Sequence, residues 1–401
     1  MLLIKNCNLM NMVNIFEEKY DLLTNEGKII KVEKEIDEDL YESIEVIDAK
    51  GRLVTPGLIE PHCHIGIYET GAKEGMDGNE YSNPAIPELR AVDAIDPMDA
   101  AYDVAIRHGV TTVVAGPGSA NIIGGTFAAM KTAGNILDNT LINGEVAMKM
   151  ALGENPKFAY GNKGKAPSTR MMSAAIMREY LFKAKEYHEN YKSHEENIKN
   201  GIEENFDYDL GLHSLMRVFD GMRVKIHAHQ ADDILTGIRI AEEFGLRYTM
   251  DHCTEGYLIA DVLKEKKVQC IIGPSVGGKS KLESRNKSLK AAAILESKGI
   301  EFAIMTDHPV IPIEGQLMQL AIFAKHGLSR QGALKGVTIN AAKLNDIDHR
   351  VGSIEVGKDA DIVIWDVDPL DTMSETGIVI IDGKVVYEKK EGEVYVDYKK
   401  M

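Results

Sequence analysis

Short apolar runs alternate with amphipathic stretches through the middle of the chain. Val110–Ala115 is a β-branched run behind Gly109, and Arg223–Ala228, Tyr248–Met250, Val268–Ile272 and Phe302–Met305 are four more. Between the last four, Asp233–Phe244, Glu255–Lys264 and Leu289–Lys298 repeat apolar residues at helical spacing. Alternating strands and helices predict a parallel sheet or barrel. Strands in such a sheet are buried on both faces, which accounts for their unbroken apolar character. Residues 165–220 interrupt the rhythm. Met177, Tyr180, Leu181, Ala184, Tyr187 and Tyr191 recur at helical spacing, and Gly201 is a stop signal, so a long inserted helix is predicted over 168–200. A structural prop is its simplest role; a cap over an active site is the other.

The two ends read differently. Leu2–Ile4, Lys28–Val32 and Glu45–Ile47 are strand-like, with a turn at Asn25–Gly27. Asp361–Trp365, Ile378–Ile381 and Lys384–Tyr387 are strand-like at the other end, with Asp382–Gly383 as a hairpin turn. Residues 1–55 and 352–401 are therefore expected to build one small β-sandwich domain beside an α/β body over 56–351. Two unrelated terminal extensions are the alternative. A length of 401 residues accommodates one barrel plus one accessory domain.

A composition of 44% hydrophobic and 27% charged residues supports a large core. The formal charge of −16 argues against nucleic acid or an anionic membrane surface as the main partner. Cys7, Cys63, Cys253 and Cys270 are scattered, without Cys-x-x-Cys spacing, so neither a disulfide framework nor a Cys-rich zinc site is expected. The first residues lack a signal-peptide pattern, and no apolar run reaches about 18 residues. A cytoplasmic protein is expected, with the oligomeric state open and a homo-oligomer compatible.

The candidate chemistry begins in Thr55-Pro56-Gly57-Leu58-Ile59-Glu60-Pro61-His62-Cys63-His64. A strand carrying His-x-His points both imidazoles to one side, because side chains alternate with period two. By itself that pair is a weak signal. It gains force because His227, His252 and Asp307 each fall at the C-terminal end of a predicted strand, where barrel active sites lie. Histidine nitrogen and carboxylate oxygen are ligands that catalytic zinc accepts. Any one of these residues alone reads equally well as a hydrogen-bonded core residue; the ordered set does not.

With these residues in place, the sequence resembles the amidohydrolase superfamily, nearest to its imidazolonepropionase-like branch. Thr55–His64 resembles that family's first barrel strand. Val337-Thr338-Ile339-Asn340-Ala341-Ala342-Lys343 resembles the helix after the eighth, and Val351–Val363 the return to the β domain. The resemblance implies a (β/α)8 TIM-type barrel and one or two divalent cations, most simply zinc. It implies that His62, His64, His227 and Asp307 bind one metal, and that His252 binds a second metal or the substrate. His227-Ala228-His229 places two imidazoles on one face; the family pattern favours His227 as ligand and leaves His229 to the substrate. Relatives add a carboxylated lysine or a glutamate as a bridging ligand, for which Lys149 and Glu154 are the candidates. The metal would lower the pKa of its water to about 7. Asp307 would act as general base and then acid, hydrolysing a C–N bond of an amide or cyclic amide in a small molecule. A metallo-carboxypeptidase or dipeptidase is the neighbouring reading. A non-catalytic barrel with a structural or interaction role is the reading from another class, and it would be expected to have lost ligands that this chain keeps.

Three weaker signals remain. The Gly-rich stretch Pro117–Gly125 offers backbone N–H groups to a substrate carboxylate, although a tight barrel loop is its plainer reading. Gly277–Arg285 carries cations, Arg285 among them, that could bind an anionic substrate group. Glu69, Glu74, Asp77 and Glu80, after His64, would favour a cationic one.

Overall fold

The computed structural model describes residues 1–68, 76–202, 205–279, 281–390 and 393–396. Glu69, Glu74 and Ser280 lie outside them. The body is an eight-stranded sheet whose strands lie side by side in chain order: Leu58–Cys63, Val110–Ala115, Ile123–Lys131, Leu141–Ala151, Arg223–Ala228, Tyr248–His252, Gln269–Ile272 and Phe302–Ile304. The expected all-parallel order is corrected at one strand. Ile123–Lys131 runs antiparallel to both of its neighbours, and the other pairings are parallel. Every residue of Leu58–Cys63, Val110–Ala115, Ile123–Lys131 and Arg223–Ala228 is buried, as strands covered on both faces require.

The first and last strands approach without a ladder, joined by side-chain contacts and one backbone hydrogen bond. Glu60 accepts from the Thr306 N–H at 2.9 Å and from its hydroxyl at 2.8 Å. The His64 N–H donates to the His308 carbonyl at 2.8 Å, and Gln316 Nε2 donates to the Ile59 carbonyl at 3.2 Å. The sheet is thereby nearly closed, and the ends of its first and last strands face each other.

Both chain termini enter a second sheet of nine strands. Leu2–Met10 pairs with Phe16–Asn25, Glu45–Asp48 and Leu53–Pro56. Leu53–Pro56 then pairs with Ile362–Val367, which continues through Glu375–Ile381 and Lys384–Lys390 to Glu393–Val396. The seam between the two ends is thus a strand pairing, in one continuous hydrogen-bonded path rather than two separate ladders.

A buried ion cluster ties this sheet to the barrel. Lys131 Nζ lies 2.5 Å from Asp361, 2.9 Å from Asp359 and 3.2 Å from Asp382. Burial pushes its pKa down, and the attraction of Asp361, Asp382 and Asp359 outweighs this and raises it. Removing one partner of a buried ionic group leaves uncompensated charge. Lys131→Met is therefore expected to destabilise the protein by about 3–5 kcal/mol, read from urea unfolding. A loss below about 1 kcal/mol, the scale of a surface pair, would show that the cluster contributes little.

The inserted helix spans Arg170–Lys199, capped by Thr169, whose hydroxyl accepts the Met172 N–H. Ile176, Met177, Leu181, Ala184 and Tyr187 bury one face, and Phe182 meets Phe244 edge to face at 4.8 Å. Arg170, in its first turn, reaches Asp233 at 2.9 Å. These contacts brace the helix Ala231–Phe244, which follows directly behind His229.

Candidate active site

His62 lies within the first strand and His64 just beyond its end, both buried. His64 Nδ1 faces the Gly116 carbonyl at 2.7 Å. His252 closes its strand, with Nδ1 at 2.9 Å from the Gly273 carbonyl. His62 Nδ1 faces Asp251 Oδ2 at 2.5 Å. A carbonyl or carboxylate oxygen can only accept, so each of these imidazoles donates from Nδ1. The Nε2 atoms are left to accept, His62 Nε2 from Lys149 in this structure, which is how metal-ligating histidines are held. Burial first, then Lys149 and Lys225, pushes the His62 pKa far down. Burial first, then neighbouring imidazoles, does the same at His227 and His252. Neutral imidazole is the ligating form.

The side chains gather into two clusters, each with its ligand atoms within 4.8 Å of one another: His62, His64 and Asp307, and His227, His229 and His252. Asp307 Oδ1 is 3.2 Å from His64 Nε2 and 3.8 Å from His62 Nε2. The structure places His227 with the second set rather than with His62, His64 and Asp307. Its ring packs on His252 at 4.2 Å and His229 at 4.8 Å between centroids, because adjacent parallel strands place Ala228 beside His252. His229 is fixed by Thr254 Oγ1, 2.7 Å from Nδ1, and burial, then Lys281, pushes its pKa down to about 3.

Lys149 lines the same cavity as residues of both clusters. It is buried, its Nζ is 3.2 Å from His62 Nε2, and burial pushes its pKa down to about 8. Glu154 is placed elsewhere: it opens the helix Glu154–Gly161, its N–H donates to Glu283 at 2.9 Å, and it joins neither cluster. A cavity of about 580 Å³ opens over His64, Lys149, His227, His229, His252 and Asp307. Arg285 is exposed and does not line it, whereas Lys281 and Lys287 do. Asp77 and Glu80 do not line it either. In the Gly-rich stretch, Ile123–Gly125 already belongs to a strand. The Gly118 N–H is bonded to the Gly78 carbonyl at 2.6 Å and the Ala120 N–H to Asn79 at 2.9 Å, so neither amide is open to a ligand.

The donor set fits divalent cations. It offers neutral imidazoles, one carboxylate and a buried amine, and both Asp307 Oδ1 and His227 Nδ1 are buried without a hydrogen-bond partner among the described residues. Such orphaned atoms are rare in folded proteins unless a ligand or ion satisfies them. Two backbone positions carry strain at the same place: His252 and Asp307 have φ of 67° and 58°, a region costly for residues other than glycine and concentrated at functional sites.

Sequence reasoning missed the residues beneath the ligands. Asp251 holds His62 and receives Lys225 Nζ at 3.2 Å. Glu60 is fully buried, and burial pushes its pKa up to about 8. Glu283 is buried with Oε1 at 3.7 Å from His229 Nε2. The dipeptide Asp251-His252 was the available signal for the first of these, since a carboxylate beside a ligand histidine commonly orients a histidine nearby.

A sequence model described as the amidohydrolase family matches residues 53–396. A solved amidohydrolase from Thermotoga maritima superposes with a TM-score of 0.91 and 38% identity, covering 97% of this chain and 100% of that one. Amidohydrolase tasK of Hapsidospora irregularis is 27% identical over 92% of this chain, which spans 40% of that protein's length. An imidazolonepropionase of Photobacterium profundum is 26% identical over 88% of each chain. No helix among the described residues is long and apolar enough to cross a membrane.

Proposed function

The chain belongs to the amidohydrolase family and is a hydrolase of carbon–nitrogen bonds; from that premise we propose that it cleaves the C–N bond of an amide or cyclic amide in a small molecule, with two divalent cations, most simply zinc. His62, His64 and Asp307 would hold one, and His227 and His252 the other. The observation that carries this reading is the convergence of the His62 and His64 nitrogens on an Asp307 oxygen that has no hydrogen-bond partner among the described residues.

Lys149 supports the two-ion form. Its pKa, lowered to about 8, leaves a larger share of neutral amine near neutral pH than an ordinary lysine has. Addition of carbon dioxide to that amine, with loss of one proton, yields a carbamate whose two oxygens can serve both clusters. When bound, the cations supply Lewis-acid activation of water and of the scissile carbonyl. Asp307 takes the proton of the attacking water and delivers it to the departing nitrogen, which is otherwise a very poor leaving group. His229, held by Thr254, faces the substrate space and is positioned to donate or accept one hydrogen bond. The buried walls exclude bulk water, which strengthens these electrostatic interactions.

The test is metal removal. Dialysis against a chelator is expected to abolish hydrolysis across a panel of N-acyl amino acids, dipeptides and cyclic amides, and zinc is expected to restore it. Undiminished turnover in protein shown by elemental analysis to be metal-free would refute the reading.

A further inference from the structure

The cavity has a charged edge that the reaction does not use. Lys287 lines it and is half-buried, and its ammonium makes no hydrogen bond or ion pair among the described residues. Burial, then Lys281, pushes its pKa down, so the ammonium is held at a cost that a bound anion would relieve. Lys281 donates from Nζ to Asn155 Oδ1 at 2.6 Å. Asn155 in turn donates to Ser119 Oγ at 2.6 Å and stands 3.4 Å from His227 Nε2. Lys281 is thereby anchored above the second cluster.

The neighbouring groups sharpen the polarity of this edge. Lys281 is partly compensated by the buried Glu283, whose Oε1 lies 3.6 Å from its Nζ while Oε2 accepts the Glu154 N–H, which leaves Lys287 as the less compensated cation. The rest of the lining includes apolar and aromatic groups, Tyr68, Met76, Phe158, Pro309 and Val310. The cavity thus combines lining that suits an apolar body with two cations, Lys281 and Lys287.

We propose that the substrate carries a carboxylate beside the scissile amide, and that Lys287 and Lys281 receive it while the apolar part of the lining takes the rest of the molecule. This rests on the hydrolase reading above and narrows its substrate class to anionic amides. Lys287 supplies the unpaired charge. Lys281, tethered through Asn155, couples occupancy of the anion position to the alignment of His227.

Two probes differ only in charge: N-benzoylglycine and its carboxamide, N-benzoylglycinamide. Their binding to zinc-loaded protein is measured by calorimetry, with hydrolysis followed in the same samples. The wild type is expected to bind the carboxylate roughly tenfold to a hundredfold more tightly, the range for a hydrogen bond to a charged group, with a preference that shrinks as salt is raised. Lys287→Met is expected to lose most of that preference and Lys281→Met part of it. Arg285→Met, off the cavity, should keep it. Equal binding of the two probes, or binding of neither, overturns the proposal. A preference that survives in the Lys281→Met/Lys287→Met double variant also overturns it, because the carboxylate would then be held by the metal centre alone. A lysine-dependent preference without cleavage of any amide would leave the anion position standing and count against the hydrolase reading instead.

Discussion

Asp307→Asn is expected to lower turnover by roughly 10²–10⁴-fold, toward the upper end, while the protein keeps most of its metal. Asparagine preserves the shape of the side chain and one oxygen near His64, which lies 3.2 Å from Asp307 Oδ1. The lost property is the capacity to take a proton. Asp307 is assigned to both half-steps, taking the water's proton and giving it to the leaving nitrogen, so one substitution removes two contributions. If Asp307 served only to hold metal, lost activity would track lost metal, and excess zinc would restore it. Metal content and turnover measured in one preparation separate these cases.

Lys149→Met is expected to reduce bound metal from two ions per chain to one or fewer. Turnover should fall by more than roughly 10²-fold, the upper range for losing a partner outside the ligand sphere. Methionine nearly matches the length of lysine and suits a site buried beside Phe127, over whose ring the ammonium sits at 5.4 Å. The fold should therefore survive, and thermal unfolding of the apo-protein checks this. The amine now 3.2 Å from His62 Nε2 would be gone, and with it the proposed bridge between the two clusters. A Lys149→Met protein with two bound ions and undiminished turnover would show that the two clusters need no bridge.

Which parts of this were legible in the sequence follows from the physics of each element. His62, His64, His252 and Asp307 could be read because they stand at the ends of strongly apolar strands, where period-two alternation and the barrel rule fix where side chains go. His227 could be read as a candidate ligand but not assigned to a cluster. That depends on which residues of the next strand stand beside it, and the register of Arg223–Ala228 against Tyr248–His252 appears only in the folded sheet. Ile123–Lys131 and Leu141–Ala151 escaped notice as strands. Ile-Gly-Gly-Thr-Phe-Ala-Ala-Met-Lys is poor in β-branched residues and has two glycines near its start, so burial on both faces overrides its weak strand propensity. The same omission hid the antiparallel strand and left Lys149 without a face. Its burial follows from pairing with Lys225 across parallel strands, inside a wall the sequence did not outline. Arg285 and Lys287 lie two residues apart in one charged loop, and only the fold decides which of them enters the cavity.

The account rests on two metal positions joined at Lys149. Diffraction from crystals of the zinc-loaded protein, recorded on both sides of the zinc absorption edge, tests it most directly. The predicted result is two anomalous peaks, one touching His62, His64 and Asp307 and the other touching His227 and His252, with density for a carbamate on Lys149 between them. Zinc–nitrogen distances near 2.0–2.1 Å are expected at both. A map with no anomalous peak inside the cavity, or with zinc bound only at surface histidines, would contradict it.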